Sequence, residues 1–130
     1  MHPYEVGPTN PGPLGSALAR TMTTDVLLVL CTCPDDATGA RIAETLVVER
    51  LAACVNRVPE LASVYLWRDN LERDTETLLL IKTTNARFDA LCTRLGELHP
   101  YELPEIIATP VTKGLPQYLQ WVSTCTAVDV

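Results

Sequence analysis

Two short segments of the chain are apolar at every position rather than at alternate positions. They span residues 26–31 and 78–81. A β-strand points successive side chains to opposite faces, so a segment that is apolar at both parities predicts a strand covered on both faces. We therefore expect both segments to be strands, and we expect the first, over residues 25–32, to lie at the centre of a sheet.

Two other segments place apolar residues at helical spacing. After Pro34, two aspartates suit the positive end of a helix, and apolar side chains continue at helical spacing to about Ala52. Further along, Thr84 or Asn85 can cap a helix whose apolar positions over residues 88–98 follow the i, i+3, i+4, i+7 rule. These patterns predict two amphipathic helices that pack against the sheet.

The region between the two helices alternates in the manner of strands. Residues 54–58 predict a short strand closed by Pro59, and residues 63–67 predict a second strand. The apolar run within residues 76–83 predicts a partner for it. We expect this pair to form a hairpin with a loop at about residues 69–74.

The last part of the chain adds an edge strand and a helix. Residues 105–109 are flanked by prolines, which suits a sheet edge, and Gly114 and Pro116 open a helix that runs to about Cys125. The element order becomes strand, helix, strand, strand, helix, strand, then a helix. That order predicts an α+β fold, a ferredoxin-like split βαβ sandwich with an added C-terminal helix.

A sandwich of this kind carries its helices on one face of the sheet. The strands that are apolar on both faces would therefore leave an apolar second face without a helix to cover it. An exposed apolar sheet face of that size is rare on a monomer. We therefore expect a homo-oligomer in which another copy of the chain covers this face.

Length and composition are those of one globular domain. The chain has 130 residues, of which 47% are apolar and 20% are charged. Residues 1–21 contain four prolines and three glycines and few large apolar groups. They cannot bury enough surface to offset the entropy of ordering, so we expect a flexible tail over residues 1–21 and a folded domain over residues 22–130.

The charge and the cysteines limit the partners and the compartment. A net charge of −6 makes nucleic acid or an anionic membrane an unfavourable partner and makes cations natural ligands. No apolar run approaches the roughly 20 residues of a membrane span, and the proline-rich start does not resemble a signal peptide. The five cysteines are an odd number without a CxxC pair, which indicates reduced thiols and favours the cytoplasm.

Polar chemistry is concentrated in residues 99–105, between the second predicted helix and the edge strand. This stretch holds an imidazole, a phenol, two carboxylates and two prolines. Each proline biases the residue before it away from the α region, so His99 should end the helix. The stretch is either a well-formed turn without chemistry or a rigid support for a site.

Six short motifs in order resemble the CutA divalent-ion tolerance family. They are VLCTCPD at 29–35, ERLAACVN at 49–56, VYLW at 64–67, LLLIKTT at 78–84, HPYELPEI at 99–106 and YLQWV at 118–122. The resemblance covers residues 25–124. It implies a ferredoxin-like protomer in a tight homotrimer similar to the PII signalling proteins, a cytoplasmic location, and an association with copper and other divalent cations.

The resemblance also implies metal ligands. Carried over by position, they are Cys31 on the first strand and His99, while the family's first histidine position holds Leu98 in this chain. Thiolate and imidazole suit copper or another divalent cation. The alternatives are a buried strand thiol for Cys31 and a hydrogen-bonded, helix-ending imidazole for His99. Asp69 stands where the family commonly has glycine, so the hairpin turn is also in question.

A second set of residues is implied to surround a cleft between subunits. The set comprises Tyr65, Trp67, Lys82, Tyr101, Glu105 and Trp121. Lys82 lies in an apolar strand, and a buried ammonium needs a carboxylate, for which Glu105 or Glu76 is the nearest candidate. One interpretation is a structural ion pair between subunits. The other is a small anionic ligand held by Lys82 between aromatic walls.

Three functions follow as hypotheses. The leading one is a non-enzymatic trimer that binds or responds to copper and related cations, because the sequence has neither HExxH nor a phosphate loop. The alternative is a PII-like regulatory module that binds a small ligand in the cleft and signals through a partner. The third is a thiol hydrolase using Cys31 or Cys54 with His99, for which the sequence shows no evident base beside a nucleophile.

Overall fold

The computed structural model describes residues 24–128, which form a four-stranded antiparallel sheet and three α-helices. In chain order the elements are β1 (Val26–Cys33), α1 (Asp36–Val48), β2 (Cys54–Trp67), β3 (Asn70–Thr84), α2 (Phe88–Leu98), β4 (Ile106–Pro110) and α3 (Pro116–Cys125). This is the predicted α+β, ferredoxin-like sandwich with an added C-terminal helix. The tail predicted for residues 1–21 lies outside the described residues.

The strand order is β2-β3-β1-β4, which places β1 between two partners. Leu30 of β1, for example, pairs with Leu80 of β3 on one side and with Ile107 of β4 on the other. The short β4 lies at the sheet edge beside β1. Both the central position of the first strand and the edge position of the last were predicted from the apolar and proline pattern.

Alternation along β1 and β3 divides their side chains between the two faces of the sheet. The odd-numbered residues of both strands face α1 and α2 and form the main core with them. Its fully buried members from the strands and helices include Val29, Cys31, Leu79, Ile81, Ile42, Leu46, Leu91 and Leu95. The predicted helical stripes are therefore the core-facing sides of α1 and α2.

Both helices differ from the prediction at one end. α1 ends at Val48, short of the predicted end at Ala52, because Arg50 has φ 60. With Arg50 in the left-handed region, Leu51 N donates to Leu46 O at 2.9 Å and closes the helix. α2 is preceded by a 3₁₀ turn whose N-cap, Thr84, makes no side-chain cap hydrogen bond, so the cap predicted there is absent.

The two strands predicted over residues 54–58 and 63–67 are one continuous strand, β2. The pairing with β3 shifts between Val58 and Leu61, where Pro59 and Glu60 form a bulge and Glu60 has φ 59. A bulge accommodates a proline, which cannot donate a hydrogen bond to the ladder. Pro59 therefore bends the strand instead of ending it.

The hairpin joining β2 to β3 is tighter than predicted. Trp67 pairs with Asn70, so the turn is Arg68 and Asp69 alone, and residues 70–74 belong to β3 instead of a loop. Arg68 and Asp69 have φ 50 and 66, the left-handed geometry of a two-residue hairpin turn. Aspartate tolerates this conformation better than most residues, so the turn forms without glycine.

The face of the sheet opposite α1 and α2, here called the second face, carries the even-numbered residues of β1 and β3. At one end of it, α3 contributes Val122 to a small cluster with Val26 and Ala53. Elsewhere on this face four leucines are only half-buried: Leu28, Leu30, Leu78 and Leu80. Ile107 of β4, on the same face, is 56% exposed. The second face is therefore apolar and only partly covered by residues 24–128.

No helix within residues 24–128 is both long enough and apolar enough to cross a membrane. The longest of the three, α1, has 13 residues. A membrane span needs roughly 20 apolar residues.

The core packing of α1 leads to a prediction about stability. Leu46→Ala should lower the free energy of unfolding by about 2 to 5 kcal/mol, because it leaves a cavity between α1 and the sheet. Val48→Ala, two residues away on the same helix, should change it by less than about 0.5 kcal/mol, since Val48 is 80% exposed whereas Leu46 is fully buried. Urea denaturation measures both, and equal losses would contradict this assignment of the core.

Candidate metal centre and neighbouring cleft

Three potential metal ligands meet on the helix-facing side of the sheet. The Sγ atoms of Cys31 and Cys33 and a ring nitrogen of His99 all lie within 4.8 Å of one another. Both cysteines are fully buried, and His99 is only 7% exposed. We call Cys31, Cys33 and His99 the Cys/His cluster.

The fold brings these residues together for two local reasons. Cys31 and Cys33 are two residues apart on β1, so strand alternation points both side chains to the same face. His99 is the C-cap of α2, with φ −82 and ψ 135, and its N–H donates to Leu95 O at 2.8 Å. Pro100 favours this extended backbone, so the helix ends at His99 as predicted.

Both nitrogens of the His99 ring make hydrogen bonds. Nε2 lies 2.7 Å from the carbonyl oxygen of Thr32, and Nδ1 accepts a hydrogen bond from the backbone N–H of Tyr101 at 3.1 Å. A carbonyl only accepts, so the ring must carry its hydrogen on Nε2. The Tyr101 ring packs 4.7 Å from the imidazole, measured between ring centroids, at 52°.

The two thiols influence each other directly. The interaction with the neighbouring Cys33 thiol, followed by burial, raises the pKa of Cys31. The same interaction lowers the pKa of Cys33. Cys33 is therefore the more acidic member of the pair, and Cys31 Sγ also lies 3.9 Å from Thr32 O.

Sequence reasoning named Cys31 and His99 as ligands but did not include Cys33. Two cysteines on a strand share a face when they are spaced as CxC, whereas CxxC spacing suits turns. The CxC spacing is therefore the signal that could have found Cys33. Leu98, at the family's first histidine position, packs against the main core and contributes no donor. Two thiols and an imidazole form a soft donor set that fits copper, so the residues present are compatible with such an ion.

A cleft of about 550 Å³ opens on the second face beside this cluster. Four of the six residues predicted for a ligand cleft line it: Tyr65, Trp67, Tyr101 and Glu105. Three further glutamates line the same cavity: Glu72, Glu76 and Glu102. Because its ionisable lining is acidic, we call it the acidic cleft.

Tyrosine hydroxyl groups are hydrogen-bonded to the carboxylates in and around the cleft. Tyr101 donates to Glu76 Oε2 at 2.8 Å, and Tyr65 donates to Asp74. The hydrogen bond to Asp74 is the main cause that raises the pKa of Tyr65 to about 12. Burial, followed by the bond to Glu76, raises the pKa of Tyr101. Both hydroxyls therefore stay protonated well above neutral pH.

The other two predicted residues lie outside the acidic cleft within one chain. Lys82 Nζ donates to the side-chain oxygen of Asn56 and to Leu80 O, and within residues 24–128 of one chain it makes no ion pair with Glu105 or Glu76. The ion pair predicted between subunits stays a prediction. Trp121 lies on α3 and stacks near Tyr118, with ring centroids 5.5 Å apart. The strand register explains the position of Lys82, which is paired with Leu28 and Cys54, far along β3 from Glu76.

This arrangement argues against two of the chemical hypotheses. Within one chain, a small anionic ligand does not suit a cleft lined by four glutamates without Lys82. A thiol hydrolase needs an accessible thiolate, whereas Cys31 is fully buried with a raised pKa. Cys54 pairs with Lys82 on the second face and does not belong to the Cys/His cluster.

Comparison with known proteins gives a consistent family assignment. The family model described as CutA1 divalent ion tolerance protein matches residues 27–125. Protein CutA of Homo sapiens is 40% identical over 119 residues, covering 92% of this chain and 66% of the human protein. The divalent-cation tolerance protein CutA of Thermus thermophilus is 48% identical over 95 residues, covering 73% of this chain and 92% of that protein.

Solved structures agree with these matches. The divalent cation tolerance protein Cut A1 from Thermus thermophilus superposes with a TM-score of 0.77 at 46% identity, covering 78% of this chain and 99% of that one. CutA1 from Oryza sativa gives a TM-score of 0.79 at 39% identity, covering 82% of this chain and 98% of that one. Both likenesses are close enough to show the same fold.

The chain spans only part of some relatives, namely 66% of the human protein and 60% of the Xenopus laevis homologue. The matched region nevertheless includes nearly all of the strands and helices described above, from β1 to α3. With a family match over residues 27–125 and relatives at 40 to 48% identity, the chain belongs to the CutA1 divalent ion tolerance protein family.

Proposed function

We propose that this protein contributes to divalent-cation tolerance by binding copper or a related cation at the Cys/His cluster. The observation that carries the proposal is the meeting of three buried donor residues within 4.8 Å. Two buried thiols at such a distance can hold one ion between them, and thiolate is a good ligand for copper. Two bacterial relatives, from Thermus thermophilus and Pectobacterium atrosepticum, are named divalent-cation tolerance proteins, which supports the same function.

The chemistry proposed is binding rather than catalysis. A bound cation would be enclosed by the main core, where Cys31 and Cys33 hold it and His99 closes the side toward α2. The net charge of −6 raises the local concentration of cations around the protein. Sequestration of a metal ion needs no further catalytic group, so the protein is proposed to be a non-enzymatic binding protein.

A cytoplasmic location is part of this proposal. All five cysteines are free thiols, including the two in the cluster. Thiols must be reduced to bind a metal, and they stay reduced in a compartment rich in glutathione and thioredoxin. The proposal therefore requires a reducing environment, which the cytoplasm provides.

A homotrimer is the proposed assembly. The support is the second face, where four leucines are only half-buried and Ile107 is 56% exposed. Large apolar patches of this kind mark contact surfaces. Lys82 and the acidic cleft both lie on this face, so the six-residue site predicted from sequence requires Lys82 and Trp121 to come from a neighbouring chain.

Copper binding gives the first test. The protein should bind about one copper ion per chain, and Cys31→Ser should abolish this binding because it removes a thiolate from the centre. Cys92→Ser is the matched control, since Cys92 is a half-buried thiol on α2 outside the Cys/His cluster. Equilibrium dialysis of the reduced protein measures both. If both variants still bind copper, the metal binds elsewhere in the protein.

The assembly gives the second test. Light scattering should yield about three times the chain mass of 14.3 kDa. Leu78→Lys should dissociate or unfold the trimer, because an unpaired buried charge costs several kcal/mol (~3 to 5). Val48→Lys should leave it intact, since Val48 is exposed on α1. A stable monomer formed by the unaltered sequence would contradict the proposal.

A further inference from the structure

We propose that the metal ligands are the two sulphurs of Cys31 and Cys33, and that His99 is a positioning residue and not a ligand. This inference rests on the proposed copper binding and defines its site. The ligand class is a soft cation that accepts two thiolates, with Cu(I) as its best representative. The geometry of the imidazole and the geometry of the strand each support it.

Neither ring nitrogen of His99 has a lone pair free for a metal. A metal binds a ring nitrogen through a lone pair, and Nδ1 has the only one, because Nε2 carries the hydrogen directed at Thr32 O. The Nδ1 lone pair already accepts the N–H of Tyr101 at 3.1 Å. Ligation through either nitrogen would therefore break a hydrogen bond in a buried site and leave a backbone group without its partner, which is costly.

The two cysteines of β1 are placed to share one ion. Cys31 and Cys33 project from the same face of β1, and their Sγ atoms lie within 4.8 Å of each other. A cation placed between the two sulphurs would join side chains that are already close together, and β1 would keep its pairing with β3 and β4. Binding releases the thiol protons, and two thiolates with one Cu(I) leave a single negative charge at the site.

The Cys/His cluster holds few donor atoms. Within residues 24–128, the only group of three or more His, Cys, Asp or Glu residues with ligand atoms this close comprises Cys31, Cys33 and His99. Without His99, the set is a dithiolate, which suits a soft ion of low coordination better than a hard divalent ion that needs several oxygen ligands.

His99 then acts through the backbone that joins the two cysteines. Its Nε2–H donates to the carbonyl of Thr32, the residue between Cys31 and Cys33, and so holds that carbonyl in place. The ring also covers the cluster on the side of α2, since His99 is almost fully buried. Partners of this kind orient ligands and commonly change metal affinity by about 10- to 100-fold.

The assignment of two sulphur ligands changes the effect on Cu(I) affinity that is expected of Leu98→His. Restoring the family's first histidine with Leu98→His would tighten binding if the site used imidazole ligands, as the family resemblance implies. Leu98 packs on the main core, and the dithiolate site does not need a further donor. Leu98→His is therefore expected to leave Cu(I) affinity unchanged within about threefold, well below the effect of a lost ligand.

The test is an anaerobic titration of Cu(I) against a coloured Cu(I) chelator, using the full chain. Cys31→Ser and Cys33→Ser should each weaken binding more than about 100-fold, beyond the usual effect of an outer partner. His99→Ala should weaken it by about 10- to 100-fold, whereas His99→Gln should stay within about threefold of the unaltered protein. Glutamine places an N–H where Nε2–H lies, but it is a poor copper ligand.

The outcomes separate the inference from the proposed function. If Cys33→Ser binds Cu(I) as the unaltered protein does while Cys31→Ser does not, the dithiolate is wrong and copper binding stands. If His99→Gln is as damaging as Cys31→Ser, His99 is a ligand and the inference is overturned. If the unaltered protein does not bind Cu(I), the proposed function itself fails. Circular dichroism checks that each variant folds. If the buried serine hydroxyl prevents Cys33→Ser from folding, Cys33→Ala replaces it.

Discussion

The pairing of β1 on both of its edges is the constraint on which the rest of the structure depends. Because β3 holds one edge and β4 the other, the strand has a single register. A slip of one residue would move every side chain to the opposite face of the sheet. The register therefore decides that Cys31 and Cys33 enter the main core while Thr32 faces the acidic cleft.

The hydrogen bond from His99 to Thr32 joins this strand to the end of α2. It connects the two features of the molecule that carry chemistry, since the Cys/His cluster lies on one side of β1 and the acidic cleft on the other. Tyr101 contributes to both, with its backbone N–H bonded to His99 and its hydroxyl bonded to Glu76. The stretch from His99 to Glu105 thus connects the Cys/His cluster to the acidic cleft through hydrogen bonds.

Much of the fold could be predicted from sequence because its signals are local. Strands that are apolar at every position, helices with one apolar side and Pro116 at the start of α3 can each be recognised from a few neighbouring residues. Pro59 misled the prediction because a proline that bends a strand at a bulge looks in sequence like one that ends it. The turn at Arg68 and Asp69 lacked glycine, so its left-handed geometry could not be seen from composition.

The candidate site was predictable only in part, because its geometry depends on contacts distant in sequence. Cys31 and His99 followed from the family resemblance, but the role of Cys33 required strand spacing to be considered. The carbonyl of Thr32 and the N–H of Tyr101 engage both ring nitrogens of His99, and no residue pattern encodes such backbone partners. The partner of Lys82 likewise depended on strand register, which placed it beside Asn56.

X-ray absorption at the copper edge of the Cu(I)-loaded protein tests the central claim most directly, because it counts the atoms bound to the metal. The account predicts a shell of two sulphurs without the scattering pattern of a coordinated imidazole. A shell of one sulphur with imidazole nitrogen would contradict it, since copper would then bind Cys31 and His99. A shell of oxygen alone would place the metal outside the Cys/His cluster altogether.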